Sequence, residues 1–198
     1  MADDRIITAL DVHSLEDMKK LVETLGDSVS FYKVGMELFY SAGPDAVRYL
    51  KDQGKHVFLD LKAVRDEAAK LNIERPRLLA VTVLTSIDED AWKEIGGKYS
   101  IAESVKNLAK LAKEAGIDGT VSSPYEAKEI REMNGPDFLI VTPGIRPTFA
   151  VANDQKRFTT PSQALRDGAS RLVIGRPITK AADPKEAAEK ILAEIQGV

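Results

Sequence analysis

Short runs of β-branched and apolar residues alternate along the chain with longer stretches whose apolar positions recur every three or four residues. The short runs suit strands covered on both faces, and the longer stretches suit helices with one apolar stripe. This pattern predicts strands over 6–12, 31–36, 57–62, 78–85, 119–122, 138–141 and 171–174. Helices are predicted after Ser14 to about residue 25, from Pro44 to a stop at Gly54, over 101–115, from Pro124, from Pro161, and after Asp183 to about residue 195. Ser14 and Asp183 are residue types that cap helix N-termini, and Glu16 and Asp17 place negative charge in a first turn. Gly54 and Gly116 are natural C-terminal stops. The stripe in 101–115 is Ile101, Val105, Leu108, Leu111, Ala112 and Ala115, which predicts one buried face. The weakest link follows the third strand, where the short segment 63–72 has to serve as the helix.

Strands that alternate with helices imply right-handed βα units and a parallel sheet, either closed into a barrel or open and doubly wound. An open dinucleotide-binding sheet needs a glycine-rich turn after its first strand. Here that turn reads Asp11-Val12-His13-Ser14, without glycine. The expected fold class is therefore α/β, a TIM-type (β/α) barrel. Eight average units need ~250 residues, roughly 31 per unit. With 198 residues the barrel is expected to be shortened to about seven strands, as a single domain over 1–198.

Composition narrows the chemistry. The chain is 43% hydrophobic and 30% charged, with a net charge of −3 and no basic run, which argues against generic nucleic-acid binding. It has no cysteine, so disulfides and thiol chemistry are excluded, and two histidines cannot form a three-histidine zinc site. No apolar run approaches a membrane span and residues 3–5 are charged, so a cytoplasmic protein without membrane contact is expected.

Barrel sites gather at the C-terminal ends of the strands. Charged residues predicted there are Asp11, Lys33, Asp60 and Lys62. Residues two apart on a strand share a face, so Asp60 and Lys62 are expected to point together toward the barrel interior. Buried charges need partners, and Lys33, Asp60 and Lys62 would supply alternating signs. An Asp-x-Lys can equally be a surface ion pair; the flanking Phe58, Leu59 and Leu61 weigh against a solvated face. A second constellation ends the last two predicted βα units: Thr142-Pro143-Gly144-Ile145-Arg146, and Gly175-Arg176-Pro177-Ile178-Thr179. Such loops bind phosphate through backbone N–H groups and arginine, although glycine and proline are also ordinary turn punctuation.

Seven segments occur in order: Ala9-Leu10-Asp11, Lys33 to Phe39, Leu59-Asp60-Leu61-Lys62, Val81 to Ser86, Val141 to Pro147, Asn153 to Arg157, and Ile174 to Thr179. Together they closely resemble bacterial orotidine 5'-monophosphate decarboxylases, over nearly the whole chain on both sides of one gap. The resemblance implies an enzyme of pyrimidine (UMP) biosynthesis that uses no cofactor and no metal. It implies Lys62 as proton donor to C6 of the pyrimidine, Asp60 against the substrate carboxylate, and Lys33 holding the charge array. It further implies Asp11 at the ribose hydroxyls, Thr85 and Ser86 at ribose and pyrimidine, and Gln155, Gly175 and Arg176 at the phosphate, with Arg146 in the adjoining loop. The implied partner is a nucleotide monophosphate, OMP or UMP, and the implied assembly is a homo-oligomer.

One stretch departs from that family. Its signature continues past Asp-x-Lys with two residues and then Asp-Ile-Pro, whereas here Lys62 is followed by Ala63-Val64-Arg65-Asp66-Glu67. Arg65 occupies the register of the second aspartate, which the family donates across a homodimer interface. About one βα unit is missing at about residues 62–64, the pattern an engineered deletion would leave. The expectation is a decarboxylase of weak or absent activity. The alternatives are an inactive scaffold that keeps the nucleotide-phosphate grip, or a related metal-dependent barrel enzyme acting on a sugar phosphate.

Overall fold

In the computed structural model, residues 3–59, 77–149 and 159–198 are described. They belong to two compact units, Met1–Lys62 with Val173–Gly197, and Ala63–Leu172 with Val198.

The first unit opens with β1 (Ile6–Ala9), buried along its whole length. Its helix α1 (Leu15–Leu25) starts where Ser14 Oγ accepts from the Asp17 N–H at 3.1 Å, and ends at Gly26 with φ 51°. Met18, Val22 and Leu25 form its buried stripe. Strand β2 (Phe31–Val34) alternates half-buried and buried residues. Then come α2 (Met36–Ala42), α3 (Pro44–Asp52) and β3 (His56–Leu59). The Lys55 ammonium donates to the Gly26 and Val29 carbonyls at 2.7 and 3.0 Å, fastening the entry to β3. After β7 (Arg171–Ile174) the unit finishes with the short α8 (Arg176–Thr179) and with α9 (Pro184–Ile195), capped by Asp183. Its strands are parallel in the order β3-β2-β1-β7, with Ala9 beside Lys33 and Lys33 beside Phe58.

In the second unit, β4 (Leu79–Val81), α4 (Glu89–Glu94), α5 (Ile101–Glu114), β5 (Gly119–Val121), α6 (Ala127–Asn134), β6 (Leu139–Thr142) and α7 (Pro161–Arg166) follow one another. The strands run parallel in the order β7-β6-β5-β4. A full capping box starts α5, with Ser100 Oγ accepting from the Glu103 N–H and Glu103 accepting from the Ser100 N–H. Val105, Ala109, Ile130 and Ile140 lie at the centre of this core. Beside it, the Arg131 guanidinium donates to the carbonyls of Gly135, Pro136, Phe138 and Gly168, holding the end of α6 to the turn before β6. Among the described residues, no helix is long and apolar enough to cross a membrane.

The element order agrees with the sequence pattern, and several details differ. The first strand, predicted to residue 12, ends at Ala9, and the helix predicted from Pro124 begins as a 3-10 turn over Pro124–Glu126 ahead of α6. The second strand ends at Val34, because Gly35 becomes the N-cap of α2 and Leu38 turns into the core. The strand predicted over 78–85 ends at Val81, with one further bond to β5 from the Thr82 N–H to the Val121 carbonyl at 3.1 Å. Beyond it the Ile87 N–H donates to the Leu84 carbonyl at 3.0 Å, a turn that leads into α4. Helix α4 has only six residues, too few for a periodic stripe, but Asp88 caps it from Ala91 N–H at 3.0 Å. Finally, the expected stripe of α5 is only partly buried. Ile101, Val105 and Ala112 are covered, whereas Leu108 and Leu111 are 38% and 58% exposed.

Candidate active site

In the first unit the C-terminal ends of β1, β2 and β7 carry the charged candidates. The Leu10 N–H donates to the Lys33 carbonyl at 3.0 Å, so pairing of β1 and β2 extends to the residue before Asp11. Tyr32 and Val34 are fully buried, which puts Phe31 and Lys33 on the opposite face of the strand. Lys33 Nζ stands 6.0 Å from the Phe58 ring centroid, close enough for cation–π attraction. Phe58 is Lys33's partner in the β2–β3 register, so the contact follows directly from strand pairing. The ammonium also reaches along the chain, lying 3.6 Å from where a Cβ of Gly35 would stand, an ordinary contact distance.

Gly175 belongs to the same cluster. A Cβ at this position would lie 2.9 Å from Asp11 Oδ2 and 3.5 Å from the Ala9 Cβ, so glycine lets the Asp11 carboxylate rest against the end of β7 without moving aside. The Gly175 carbonyl accepts from the Ile178 and Thr179 N–H groups at 2.8 and 3.1 Å, winding α8 immediately after it, with Arg176 as the first helical residue. The structure thus brings Asp11 and Gly175 together and sets Lys33 on the strand adjoining β1.

In the second unit Thr85 is buried and Ser86 exposed, both in the turn after β4. Arg146 is buried at 7% exposure, and its Nη1 donates to the Ile145 carbonyl at 3.0 Å. Its backbone is clamped as well. The Arg146 N–H donates to the Thr159 carbonyl at 2.9 Å, and the Thr159 N–H to the Gly144 carbonyl at 3.2 Å. Asp60, Lys62 and Gln155 lie outside the described residues.

Two features were not singled out in the sequence. Thr82 Oγ1 is 3.2 Å from Ser122 Oγ, which donates to Thr120 Oγ1 at 3.0 Å, a hydroxyl chain at the ends of β4 and β5. Fully buried Ser123 caps the turn that follows, accepting from the Tyr125 N–H at 3.4 Å. Small hydroxyl residues at strand ends give a weak sequence signal: Thr82, Thr120 and Ser122 fall inside predicted strands, and only Ser123 stands directly after one.

Charged side chains at the C-terminal ends of parallel strands, with a glycine leading a short helix, are where a (β/α)-barrel protein carries its site. Known proteins specify the class further. The family model described as Orotidine 5'-phosphate decarboxylase / HUMPS family matches residues 4–64 and 61–191. The orotidine 5'-phosphate decarboxylase of Trichlorobacter lovleyi is 47% identical over 233 residues, covering 98% of this chain and 96% of that protein. The enzyme of the same name from Moorella thermoacetica is 45% identical over 237 residues, covering 100% and 94%. The crystal structure of orotidine 5'-phosphate decarboxylase from Lactobacillus acidophilus superposes with a TM-score of 0.81 at 39% identity, covering 98% of this chain and all of that one. The chain belongs to the orotidine 5'-phosphate decarboxylase / HUMPS family, and its fold class is the TIM-type (β/α) barrel.

Proposed function

We propose that the chain is an orotidine 5'-phosphate decarboxylase of pyrimidine (UMP) biosynthesis that has lost one repeat unit and, with it, most of its rate. The observation that carries the decarboxylase assignment is the match to two orotidine 5'-phosphate decarboxylases at 47% and 45% identity, each over at least 94% of both proteins. The alignment with the first is 233 positions long against 198 residues in this chain, so at least 35 positions of it have no counterpart here. That is close to the roughly 31 residues of an average βα unit. The two matched segments meet at 61–64, which supports an internal deletion there in an otherwise single barrel domain.

The substrate in this proposal is orotidine 5'-monophosphate. Gly175, Arg176 and Gln155 hold its phosphate, with Arg146 in the adjoining loop. Asp11 holds the ribose hydroxyls, and Thr85 and Ser86 meet the ribose and pyrimidine. Asp60 crowds the carboxylate. The C6–carboxylate bond breaks, carbon dioxide leaves with the electron pair left on C6, and the Lys62 ammonium donates its proton there. Lys33 keeps the opposing charges in register. A fixed cation facing developing carbanion charge lowers the barrier, and phosphate binding remote from C6 offsets strain at the carboxylate. No cofactor or metal enters this scheme. Arg65 in the register of the family's second aspartate leaves the charge array incomplete, and displacements of ~1 Å already reduce rates about a hundredfold. The protein works in the cytoplasm as a homo-oligomer.

Carbon dioxide release from orotidine monophosphate by the full chain and by Lys62→Ala tests the assignment. The expected result is slow turnover that the substitution abolishes. Undiminished decarboxylation by Lys62→Ala would contradict the site.

A further inference from the structure

Lys33 is a long, flexible side chain whose row in the sheet gives it one large neighbour. Strand register sets Ala9 of β1 beside Lys33, and Lys33 beside Phe58 of β3. Residues paired across parallel strands share a face, so these three side chains stand in one row. Ala9 contributes only a methyl, and Gly35, two residues after Lys33, contributes no side chain. Phe58 contributes a ring, with the Lys33 ammonium 6.0 Å from its centroid. Both residues are half-buried, so neither the charge nor the ring is fully in water.

The preceding row is aromatic as well. Phe31 is paired with His56, and their rings meet at a centroid distance of 5.7 Å, tilted by 54°. By strand alternation Phe31 shares a face with Lys33, and His56 shares one with Phe58. This face of the first unit therefore sets an aromatic pair behind a lysine–aromatic pair. The ammonium inclines away from the aromatic pair, toward the C-terminal end of β2, where it lies 3.6 Å from the Cβ position of Gly35.

A ring attracts a cation through its negative face without neutralising it. A carboxylate holds an ammonium too, but cancels much of its field in doing so. Lysine ends in a point charge on a flexible four-carbon stem, so its charge needs fixing before it can serve a site. We infer that Phe58 is a positioning residue: its ring face fixes where the Lys33 ammonium stands, through cation–π attraction across the β2–β3 pair. The contact stands on geometry alone. Its effect on turnover rests on the proposed decarboxylase reading, in which Lys33 keeps the opposing charges in register.

A double-variant cycle on the full chain reads the contact by chemical denaturation of Phe58→Leu, Lys33→Met and the two combined. With Lys33 present, Phe58→Leu is expected to shift the unfolding equilibrium about two- to fivefold further than without it, the range for such pairs. Equal shifts in both backgrounds overturn the inference. Trifluorophenylalanine at position 58 keeps the shape of the ring and drains its negative face, which decides the question if the leucine variant does not fold. It is expected to destabilise the chain that has Lys33 and to leave Lys33→Met unaffected; the same effect in both overturns the inference. Decarboxylation of orotidine monophosphate reads the consequence. Phe58→Leu is expected to lower kcat about two- to fivefold with KM unchanged, and Phe58→Tyr, which keeps a ring, to restore it. A raised KM at constant kcat, or a tyrosine variant no better than leucine, overturns the positioning role. Coupling between the two residues in a chain without turnover supports the positioning of Lys33 by Phe58 and counts against the decarboxylase reading, so the two failures are separable.

Discussion

Helices α1 and α5 start from the same sequence grammar and end in different surroundings. Each begins with a serine whose hydroxyl caps the third residue of the helix, and each carries an apolar stripe at three- and four-residue spacing. Met18, Val22 and Leu25 of α1 are all within 3% of complete burial, whereas α5 leaves Leu108 and Leu111 in water. The stripe records where neighbours belong, while burial records which neighbours are there. In α1 the stripe faces elements of its own unit, and α9 packs alongside it. In α5 the outer part of the stripe faces the side from which a repeat has been lost under the proposed deletion. A helix can therefore keep the sequence signature of a wider apolar face than the one it buries.

Paired truncations sharpen this contrast most. Leu25→Ala opens a cavity in a filled core and is expected to destabilise the protein by about 2–5 kcal/mol. Leu111→Ala removes a side chain already in water and is expected to fall within about 0.5 kcal/mol of the parent. Chemical denaturation of both variants reads the difference. Equal losses would mean that the outer flank of α5 is covered in solution.

The first unit offers the converse test, a glycine with a carboxylate already resting against it. Gly175→Ala would push a methyl to within 2.9 Å of Asp11 Oδ2, so either the carboxylate or the end of β7 has to shift. Calorimetry is expected to show uridine monophosphate binding the parent more tightly than uridine, and the variant binding the nucleotide roughly tenfold more weakly, about 1.4 kcal/mol. Equal affinity of the parent for nucleotide and nucleoside would refute a phosphate site at Gly175 and Arg176.

The smallest effect concerns the capping box of α5. Hydrogen bonds from the Ser100 hydroxyl and backbone hold the Glu103 carboxyl below its ordinary 4.5. A carboxyl depressed in the folded chain adds stability that is present above its unfolded pKa and is lost as pH falls through the folded value. Ser100→Ala is therefore expected to lower the melting temperature at pH 7 and to lower it less at pH 3. An unchanged difference across that range would show that the carboxylate is not part of the cap.

Much of this was legible in the sequence, for identifiable reasons. Ser14, Asp183, Gly54 and the Pro44 and Pro161 starts act through local backbone chemistry, so the elements they bound are found where the pattern predicts. The missed helix α2 follows a strand without a polar break, and Val34-Gly35-Met36 reads as a continuing apolar run until Gly35 leaves the ladder. The long run 78–85 misled in the opposite direction, because apolar Val83 and Leu84 read as strand although the chain already turns there, with the Ile87 N–H donating to the Leu84 carbonyl. Within the site, Asp11 and Gly175 were each readable from their loops, but their contact, between residues 164 positions apart in sequence, needs β1 and β7 side by side. The Lys33–Phe58 contact likewise depends on β2–β3 register, which no single segment encodes.

The central claim is that this chain is a decarboxylase slowed by the loss of one repeat. It is tested most directly by measuring orotidine monophosphate decarboxylation before and after the relative's gap segment is spliced in behind Lys62. A gain of at least about a hundredfold, abolished by Lys62→Ala in the spliced chain, is the predicted result, in line with the sensitivity of rates to ~1 Å displacements. Equal turnover with and without the segment would contradict the claim, because the missing unit would then contribute nothing to the site.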